Sequence, residues 1–519
     1  MNIRDAKTEI KNALLAYHRR DEEGHYKYPP VRQRPILLMG PPGIGKTAIM
    51  EQVAAECGVG LVAYTITHHT RQSAVGLPQI VSRTYGGKTV NVTEYTMSEI
   101  IASVYDCMER TGKQEGILFI DEINCVSETL APTMLQFLQN KTFGTHRVPE
   151  GWMIVAAGNP REYNKSVREF DMVTLDRVRR IQVEPDCGVW MEYARERGIS
   201  GAILSYLSMK EERFYQVESQ FGEQRFVTAR GWEDLSQLIQ GYEELGLEVA
   251  PSLVVQFLQQ EDTARDFAAY YRIYRRYGED YQIPELLWGR MSETARAARI
   301  SMGREASFEE RFTVAELLLD TLDGKFREYE FQDRLLVRLH GALQALKKEL
   351  LSEEEESPED ADRADSCMEK QIGERKDSLK VKLQKELIDG REARLEEQVI
   401  RMLEQYRLVL REEHVRGGKE GFARIRKLFG QELSRREELV SLIGQGLGRA
   451  FAFVQDCFGE DQEMLLLVSG LARNPRSADY IARHGCPDFL RYSKMLTNVT
   501  PRESLRSACR EALRERRED

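Results

Sequence analysis

Paired cysteines are missing from this sequence. Its eight cysteines are scattered, and no two of them form a C-x-x-C pair. Such pairs are typical of zinc sites, and regularly spaced cysteines are typical of small disulfide-bonded domains. We therefore expect neither a structural zinc site nor a disulfide framework, and we expect reduced thiols, as in a cytoplasm.

Long apolar runs are also missing. No stretch approaches the roughly 18 apolar residues that indicate a membrane-spanning helix. The first 20 residues carry charges throughout and contain no apolar segment of the kind found in export signals. The sequence therefore predicts no membrane span and no export signal, and it favours a cytoplasmic location.

A positive net charge is absent as well. The chain has 84 acidic and 74 basic residues, which give a formal net charge of −10. Proteins that coat nucleic acid neutralise its phosphates with Lys and Arg, so we do not expect nucleic acid as a general partner. The chain does have enough apolar residues, 41% of 519, to form the cores of roughly three folding units.

A glycine-rich stretch lies between an apolar strand predicted at residues 35–39 and a helix predicted at residues 48–56. It consists of Gly40, Pro41, Pro42, Gly43, Ile44, Gly45, Lys46 and Thr47. Strand, glycine-rich turn and helix in this order are typical of a loop whose backbone N–H groups bind phosphate oxygens. We expect Lys46 to reach the terminal phosphates and the Thr47 hydroxyl to bind Mg²⁺. The alternative is a glycine-rich turn that binds nothing, which would leave the lysine and the hydroxyl unexplained.

Two acids follow an apolar run at residues 116–120. Such a run predicts a central parallel strand, whose carboxyl end carries Asp121 and Glu122 to the edge of the sheet where ligands bind. We expect Asp121 to help hold Mg²⁺ and Glu122 to polarise the water that attacks the γ-phosphate. The alternative is an ordinary strand with a polar end.

A further buried strand is predicted at residues 152–158, and it ends at Asn159. An amide beside the two acids would hydrogen-bond both the water and the γ-phosphate, whereas a simple Asn-Pro turn is the alternative. After it come three arginines, Arg177, Arg179 and Arg180, for which exposed surface positions are the alternative to a functional role.

Two hairpins are predicted between these elements. Residues 79–92 place Gly86-Gly87 between two β-rich strands, and residues 141–151 form a polar turn. His68 and His69 suggest a metal site, but neighbours in a strand point to opposite faces and no third ligand is evident. We therefore favour loop or interface histidines.

In order, these motifs resemble those of AAA+ ATPases, and more narrowly of the MoxR group, over residues 30–250. The resemblance implies an α/β P-loop core with a parallel sheet of order 5-1-4-3-2, followed by a helical lid. It identifies the hairpin at residues 80–92 as the insert in the second helix of this clade, and residues 141–151 as the pre-sensor hairpin.

The resemblance also assigns roles to single residues. It makes Gly40 to Thr47 the Walker A loop, Asp121 and Glu122 the Walker B acids, and Asn159 the first sensor. Arg230, in Thr-Ala-Arg, is similar to a second sensor that contacts the γ-phosphate from the lid. Arg177, in Leu-Asp-Arg, is similar to an arginine finger that acts on a neighbouring subunit. Val178 replaces the usual phenylalanine there, so Arg179 and Arg180 stay open as alternatives.

The rest of the chain is predicted to be helical. Residues 352–366 are a highly acidic stretch typical of a linker, and the apolar spacing beyond them favours long antiparallel helices, with a break near Gly390, over a coiled coil. The predicted divisions are an N-terminal helix and connector (1–34), the AAA+ core (35–185), a lid of helices (186–250), a helical region (251–351), the linker (352–366) and an all-α C-terminal domain (367–519).

The resemblance implies a Mg²⁺-dependent ATP hydrolase that works as a ring, expected to be a hexamer. It would remodel or mature a protein client, usually with a von Willebrand factor A-type protein as partner. Two alternatives remain: a nucleic-acid-directed motor of the same superfamily, and a nucleotide-gated scaffold without useful turnover. Basic residues on the hairpins would favour the motor, but Arg83 and Lys88 are too few to decide.

Overall fold

The computed structural model describes residues 1–67, 74, 76–143, 145–163, 167–168, 170–220, 223–350, 363–384, 388, 390–415 and 418–494. The chain divides into two compact units, the first with Met1–Ile203 and Lys210–Ala268, the second with Leu204–Met209 and Ala269–Asp519. The six divisions predicted from the sequence remain predictions.

Eleven strands are described in the first unit. They are β1 (Ile36–Met39), β2 (Gly60–Thr65), β3 (Pro78–Tyr85), β4 (Lys88–Tyr95), β5 (Gly116–Asp121), β6 (Thr142–Phe143), β7 (His146–Arg147), β8 (Trp152–Gly158), β9 (Arg179–Gln182), β10 (Gln216–Gln220) and β11 (Glu223–Val227). Five of them form a parallel sheet in the order β2-β5-β8-β1-β9. When these five are renumbered along the chain, the order is 5-1-4-3-2, and the predicted topology is confirmed.

Helices cover both faces of this sheet. Those of the first unit are α1 (Ile3–Tyr17), α2 (Lys46–Cys57), α3 (Glu99–Thr111), α4 (Ala131–Asn140), α5 (Met172–Leu175), α6 (Cys187–Arg197), α8 (Ala229–Leu245) and α9 (Pro251–Phe257), while α7 (Gly201–Met209) and α10 (Glu261–Tyr281) each have residues in both units. Alternate residues of a strand face opposite sides, so Leu38 packs in the core with α1 and α2, and Leu37 packs in the core with α3 and α4.

The strand order determines which loops meet. Strand β8 lies between β5 and β1, and all three run parallel. The carboxyl ends of parallel strands share one edge of a sheet, so the segments that follow Met39, Asp121 and Gly158 meet there.

The hairpin predicted at residues 79–92 is present. Strands β3 and β4 pair antiparallel, with Pro78 opposite Tyr95 at one end and Tyr85 opposite Lys88 at the other. The turn residues Gly86 and Gly87 both have positive φ, as a tight hairpin turn requires. Most residues of this ribbon are exposed, including Ile80 at 77%. The strands β6 and β7 likewise form a small hairpin inside the predicted range of residues 141–151.

A third hairpin corrects the prediction of helices alone between residues 186 and 245. Strands β10 and β11 pair antiparallel, with Gln216 opposite Val227, directly before α8. Glu, Gln and Ser are frequent in these strands, and such residues give no strong strand signal by themselves. The pairing of the two strands therefore outweighs the local preference.

The second unit is helical where it is described. Its further helices are α11 (Ile283–Leu287), α12 (Glu293–Glu305), α13 (Phe308–Leu350), α14 (Arg363–Gln384), α15 (Gly390–Glu412), α16 (Gly418–Phe458), α17 (Gln462–Arg473), α18 (Pro475–His484) and α19 (Pro487–Tyr492). Helices α13 and α16 are antiparallel, because Arg311 lies over the Phe458 ring and Lys347 lies over the Phe422 ring. The predicted mainly helical C-terminal region is thus confirmed.

The end of the predicted linker overlaps a helix. Residues 363–366 already belong to α14, and Asp365 is held there by bidentate hydrogen bonds from Arg407, both at 2.8 Å. Ala364 and Met368 are buried in the same core. Most of the predicted linker lies outside the described residues.

The described part of the chain bears on the expectations about membrane spans, disulfide bonds and metal sites. No helix there is long and apolar enough to cross a membrane. None of the described cysteines forms a disulfide bond. No cluster of three or more His, Cys, Asp or Glu side chains in the described ranges is arranged to hold a metal, and His68 and His69 lie outside those ranges.

Candidate functional site

The glycine-rich loop connects β1 to α2 at the carboxyl edge of the sheet. Gly43 and Gly45 have φ values of 73° and 92°, a left-handed conformation that glycine adopts readily. Within the described residues, the amides of Gly43, Ile44 and Gly45 donate no hydrogen bond, and Gly45 is the N-cap of α2. Free N–H groups at a helix N-terminus form a site for an anion such as phosphate.

Lys46 is buried inside this loop, with 8% of its surface exposed. Its Nζ donates to Gly40 O and Pro41 O, both at 2.8 Å, and to Asn159 Oδ1 at 2.9 Å. Burial lowers the pKa of Lys46 to about 8, although the charge of Asp121 opposes this change. The ammonium group therefore lies between the loop and the end of β8, and it lacks a directly bonded carboxylate among the described residues.

Thr47 and Asp121 lie beside each other, as a shared metal site requires. Thr47 Oγ1 donates to Asp121 Oδ2 at 3.2 Å, and the other carboxylate oxygen accepts from the Glu122 amide at 2.9 Å. A hydroxyl and a carboxylate are oxygen donors of the kind that Mg²⁺ prefers. The donor set therefore fits the metal that the sequence predicts at these two residues.

Glu122 has an unusual backbone. Its φ and ψ are 56° and 34°, in the left-handed region, and a short 3₁₀ turn, Ile123–Cys125, follows. Holding a non-glycine residue there costs about 1 kcal/mol or more, and such residues are concentrated at functional sites.

Asn159 is held from two sides. Its side-chain oxygen accepts from Lys46, and its main-chain oxygen accepts from Asn124 Nδ2 at 2.8 Å. The loop after β1, the acids at the end of β5 and the amide after β8 are thus brought together at one place.

Residues 36–178, which include this cluster, match the model of the family described as ATPase family associated with various cellular activities (AAA). We refer to this matched part as the AAA domain. No curated protein matches the chain. Among solved structures, the AAA domain of FIGL-1 in complex with ADP is similar at 17% identity and a TM-score of 0.29, over 52% of this chain and 82% of that chain.

The segment around the β10–β11 hairpin lies against the glycine-rich loop. Tyr215 Oη donates to Pro42 O at 2.8 Å, and a Cβ on Gly43 would lie 3.0 Å from Thr228 Cβ. Thr228 also caps α8, which places Arg230 in the first turn of that helix. Burial has the largest effect on the pKa of Lys46 and lowers it, and the charge of Asp121 opposes this change. The positive charge of Arg230 has the next largest effect and also lowers this pKa, so Arg230 lies near the cluster.

The three candidate arginines differ in their surroundings. Arg179 forms an ion pair with Glu9 on α1, and the Arg180 guanidinium donates to Gln182 Oε1 at 2.9 Å. Arg177 is exposed between α5 and β9, and its guanidinium has no hydrogen bond to another described residue. Arg177 precedes β9, whose first residue pairs with Ile36 at the amino end of β1, so it lies near the edge of the sheet opposite to the loop that holds Lys46.

Three contact residues of this site were missed by sequence reasoning: Asn124, Tyr215 and Thr228. Thr228 does have a local signal, because a threonine before a helix is a common N-cap. The other two have none, since their partners, Asn159 and Pro42, lie far away in sequence.

Proposed function

We propose that this chain is a Mg²⁺-dependent ATP hydrolase of the AAA+ type. The observation that carries the proposal is the hydrogen-bonded cluster in which Lys46 contacts Asn159 at 2.9 Å and Thr47 contacts Asp121 at 3.2 Å. It combines a buried cation, free amide donors, a hydroxyl and acids. Phosphoryl transfer requires groups of these kinds to position the reactants and to neutralise the charge on the phosphates.

The binding roles follow from the donor chemistry. Gly40 to Thr47 would hold the phosphates of ATP with backbone amides and the Lys46 ammonium, while Thr47 and Asp121 would hold Mg²⁺. The metal supplies positive charge that offsets the charge on the phosphates.

The reacting groups lie around the same point. Glu122 would accept the proton of the attacking water, and Asn159 would orient that water and the γ-phosphate. Arg230 would contact the γ-phosphate from α8, which is supported by its electrostatic effect on Lys46.

Arg177 would complete the site of a neighbouring subunit. Its guanidinium is exposed and has no bonded partner among the described residues, whereas Arg179 is paired with Glu9. An arginine supplied in this way requires a ring, and we propose a hexamer in which each subunit completes the next site.

We propose that the work of this ring is the remodelling or maturation of a protein client, as in the MoxR group, with a von Willebrand factor A-type protein as partner. The exposed β3–β4 hairpin, with Ile80 and Tyr85 at its surface, offers apolar contacts for such a client. Arg83 pairs with Glu94 on the same hairpin, so its charge is neutralised, and this argues against a nucleic-acid motor.

The test is phosphate release by the purified full chain with Mg²⁺ and ATP, with and without DNA or RNA. We expect turnover that nucleic acid leaves unchanged. Strong, salt-sensitive stimulation by either nucleic acid would favour the motor instead. ATP binding without phosphate release, at protein concentrations that support rings, would favour the scaffold.

The pKa of Lys46 predicts how ATP affinity depends on pH. Well below pH 8 the ammonium is already charged, so the titration of Lys46 should no longer change the affinity. Above pH 8, ATP binding must take up a proton, because the phosphates favour the charged form, and the affinity should fall by up to about tenfold per pH unit. Calorimetry at pH 9 in two buffers of different ionisation enthalpy should detect this proton uptake.

The matched control is Lys46→Arg, whose guanidinium stays charged across this range. Its binding should be weaker but independent of pH over the same interval. If the wild type binds ATP equally well at pH 7.5 and pH 9.5, the ammonium of Lys46 does not titrate as described.

A further inference from the structure

Asn124 is buried in the AAA domain, with 2% of its surface exposed, and lies two residues after Glu122. Its side-chain Nδ2 donates to the main-chain oxygen of Asn159 at 2.8 Å. The partner fixes the orientation of the amide, since the opposite orientation would bring two oxygens together. Asn124 therefore connects the turn after the two acids to the residue that follows β8.

The other end of this amide has no partner. Asn124 Oδ1 is buried and has no hydrogen bond in the described part of the chain. A Cβ on Gly158 would lie 2.5 Å from this oxygen, so glycine at position 158 leaves the space that the amide occupies. An unpaired buried oxygen destabilises a fold, and a residue that carries one calls for a compensating role.

The backbone of Asn124 is fixed as well. Its main-chain oxygen accepts from the Arg168 amide at 3.0 Å, and Asn124 is the middle residue of the 3₁₀ turn, Ile123–Cys125, that begins after the left-handed Glu122. The side chain thus extends from a constrained turn to the backbone of Asn159. Movement of Asn159 relative to Glu122 would require this contact to break.

We propose that Asn124 is a positioning residue, which holds the Asn159 backbone so that the Asn159 amide keeps a fixed place relative to Glu122. This inference rests on the proposed ATP hydrolysis. Asn124 acts through Asn159 and makes no contact with the substrate. It links the residue that would orient the water to the residue that would take its proton.

The experiment compares the full chain with its Asn124→Ala variant. Because the contact matters for alignment in the transition state, kcat should fall by about tenfold, while KM for ATP and the affinity for ADP change by less than about twofold. Gly158→Ala should reproduce this pattern, since its added methyl group presses on the same amide.

A double-mutant cycle with Asn159→Ala provides the decisive comparison. If Asn124 acts through Asn159, Asn124→Ala should change kcat by less than about twofold once the Asn159 side chain is absent. The stability control is Asn474→Ala in the second unit, which removes a buried N-cap. It should lower the melting temperature without changing kcat.

The positioning role would be overturned if Asn124→Ala lowered kcat equally in the wild type and in the Asn159→Ala chain. It would also be overturned if Asn124→Ala changed only KM. The proposed function fails separately, if the wild type binds ATP but releases no phosphate. In that case amide hydrogen exchange of the wild-type and Asn124→Ala chains tests Asn124. Faster exchange confined to the segment that contains Asn159 would support the hold of Asn124 on that backbone, and unchanged exchange there would refute it.

Discussion

Replacement of Glu122 by glutamine is expected to lower kcat for ATP hydrolysis by about 10²- to 10⁴-fold and to leave ATP bound. The amide keeps the shape of the side chain but cannot accept the proton of the attacking water. The Asp121 and Thr47 contact at 3.2 Å and the Lys46 contacts involve other side chains, so binding should persist. Phosphate release and retention of labelled ATP after gel filtration are the two measurements.

Glu128→Gln is the matched control. Glu128 lies six residues further along the chain, is exposed, and forms an ion pair with Arg168. This variant should keep nearly full activity, because exposed ion pairs contribute little. A Glu122→Gln variant that still turns over at more than about a tenth of the wild-type rate would remove Glu122 from the role of general base. The trapped form also suits co-purification, which would identify the client.

Replacement of Arg177 by alanine is expected to lower kcat by about 10³- to 10⁵-fold in a ring where it serves the neighbouring site. The reason is the loss of a positive charge next to the γ-phosphate in the transition state. A mixture of Arg177→Ala and Lys46→Ala chains should regain activity, because some interfaces would then combine an intact loop with an intact Arg177. Phosphate release across a series of mixing ratios measures this.

The other two arginines serve as controls. Arg180→Ala should retain activity, whereas Arg179→Ala should mainly lower thermal stability, because Arg179 pairs with Glu9 on α1. If the mixtures show no rescue at any ratio, or if Arg180→Ala is as inactive as Arg177→Ala, Arg177 is not the residue that acts between subunits.

The parts of the site that could be predicted from sequence are those that follow from local chemistry. A left-handed loop requires glycines, and Gly43 and Gly45 take the positive φ values that the pattern suggests. A strand buried on both faces requires a continuous apolar run, which identified β5 and β8 and therefore Asp121 and Asn159 at their ends. The sheet order, in contrast, follows only from the resemblance to AAA+ ATPases.

The parts that could not be predicted depend on contacts between distant residues. Nothing near Arg179 indicates that Glu9, 170 positions earlier, pairs with it. Nothing in the sequence around Tyr215 distinguishes it from other tyrosines, because its partner, Pro42, is 173 positions away. Asn124 looks like a polar residue of a turn, and its importance follows only from a buried contact 35 positions away.

The base of the β3–β4 hairpin has a consequence for how this protein can evolve. The Thr96 amide donates to Leu77 O at 2.9 Å, the Leu77 amide donates to Thr96 Oγ1 at 2.8 Å, and a Cβ on Gly76 would lie only 2.1 Å from Thr96 O. The ribbon is therefore closed at its neck before its exposed strands begin. Substitutions, shortening or extension beyond this neck should leave the sheet and the Lys46 cluster unchanged, so selection can alter the exposed surface of the ribbon independently of the rest of the fold.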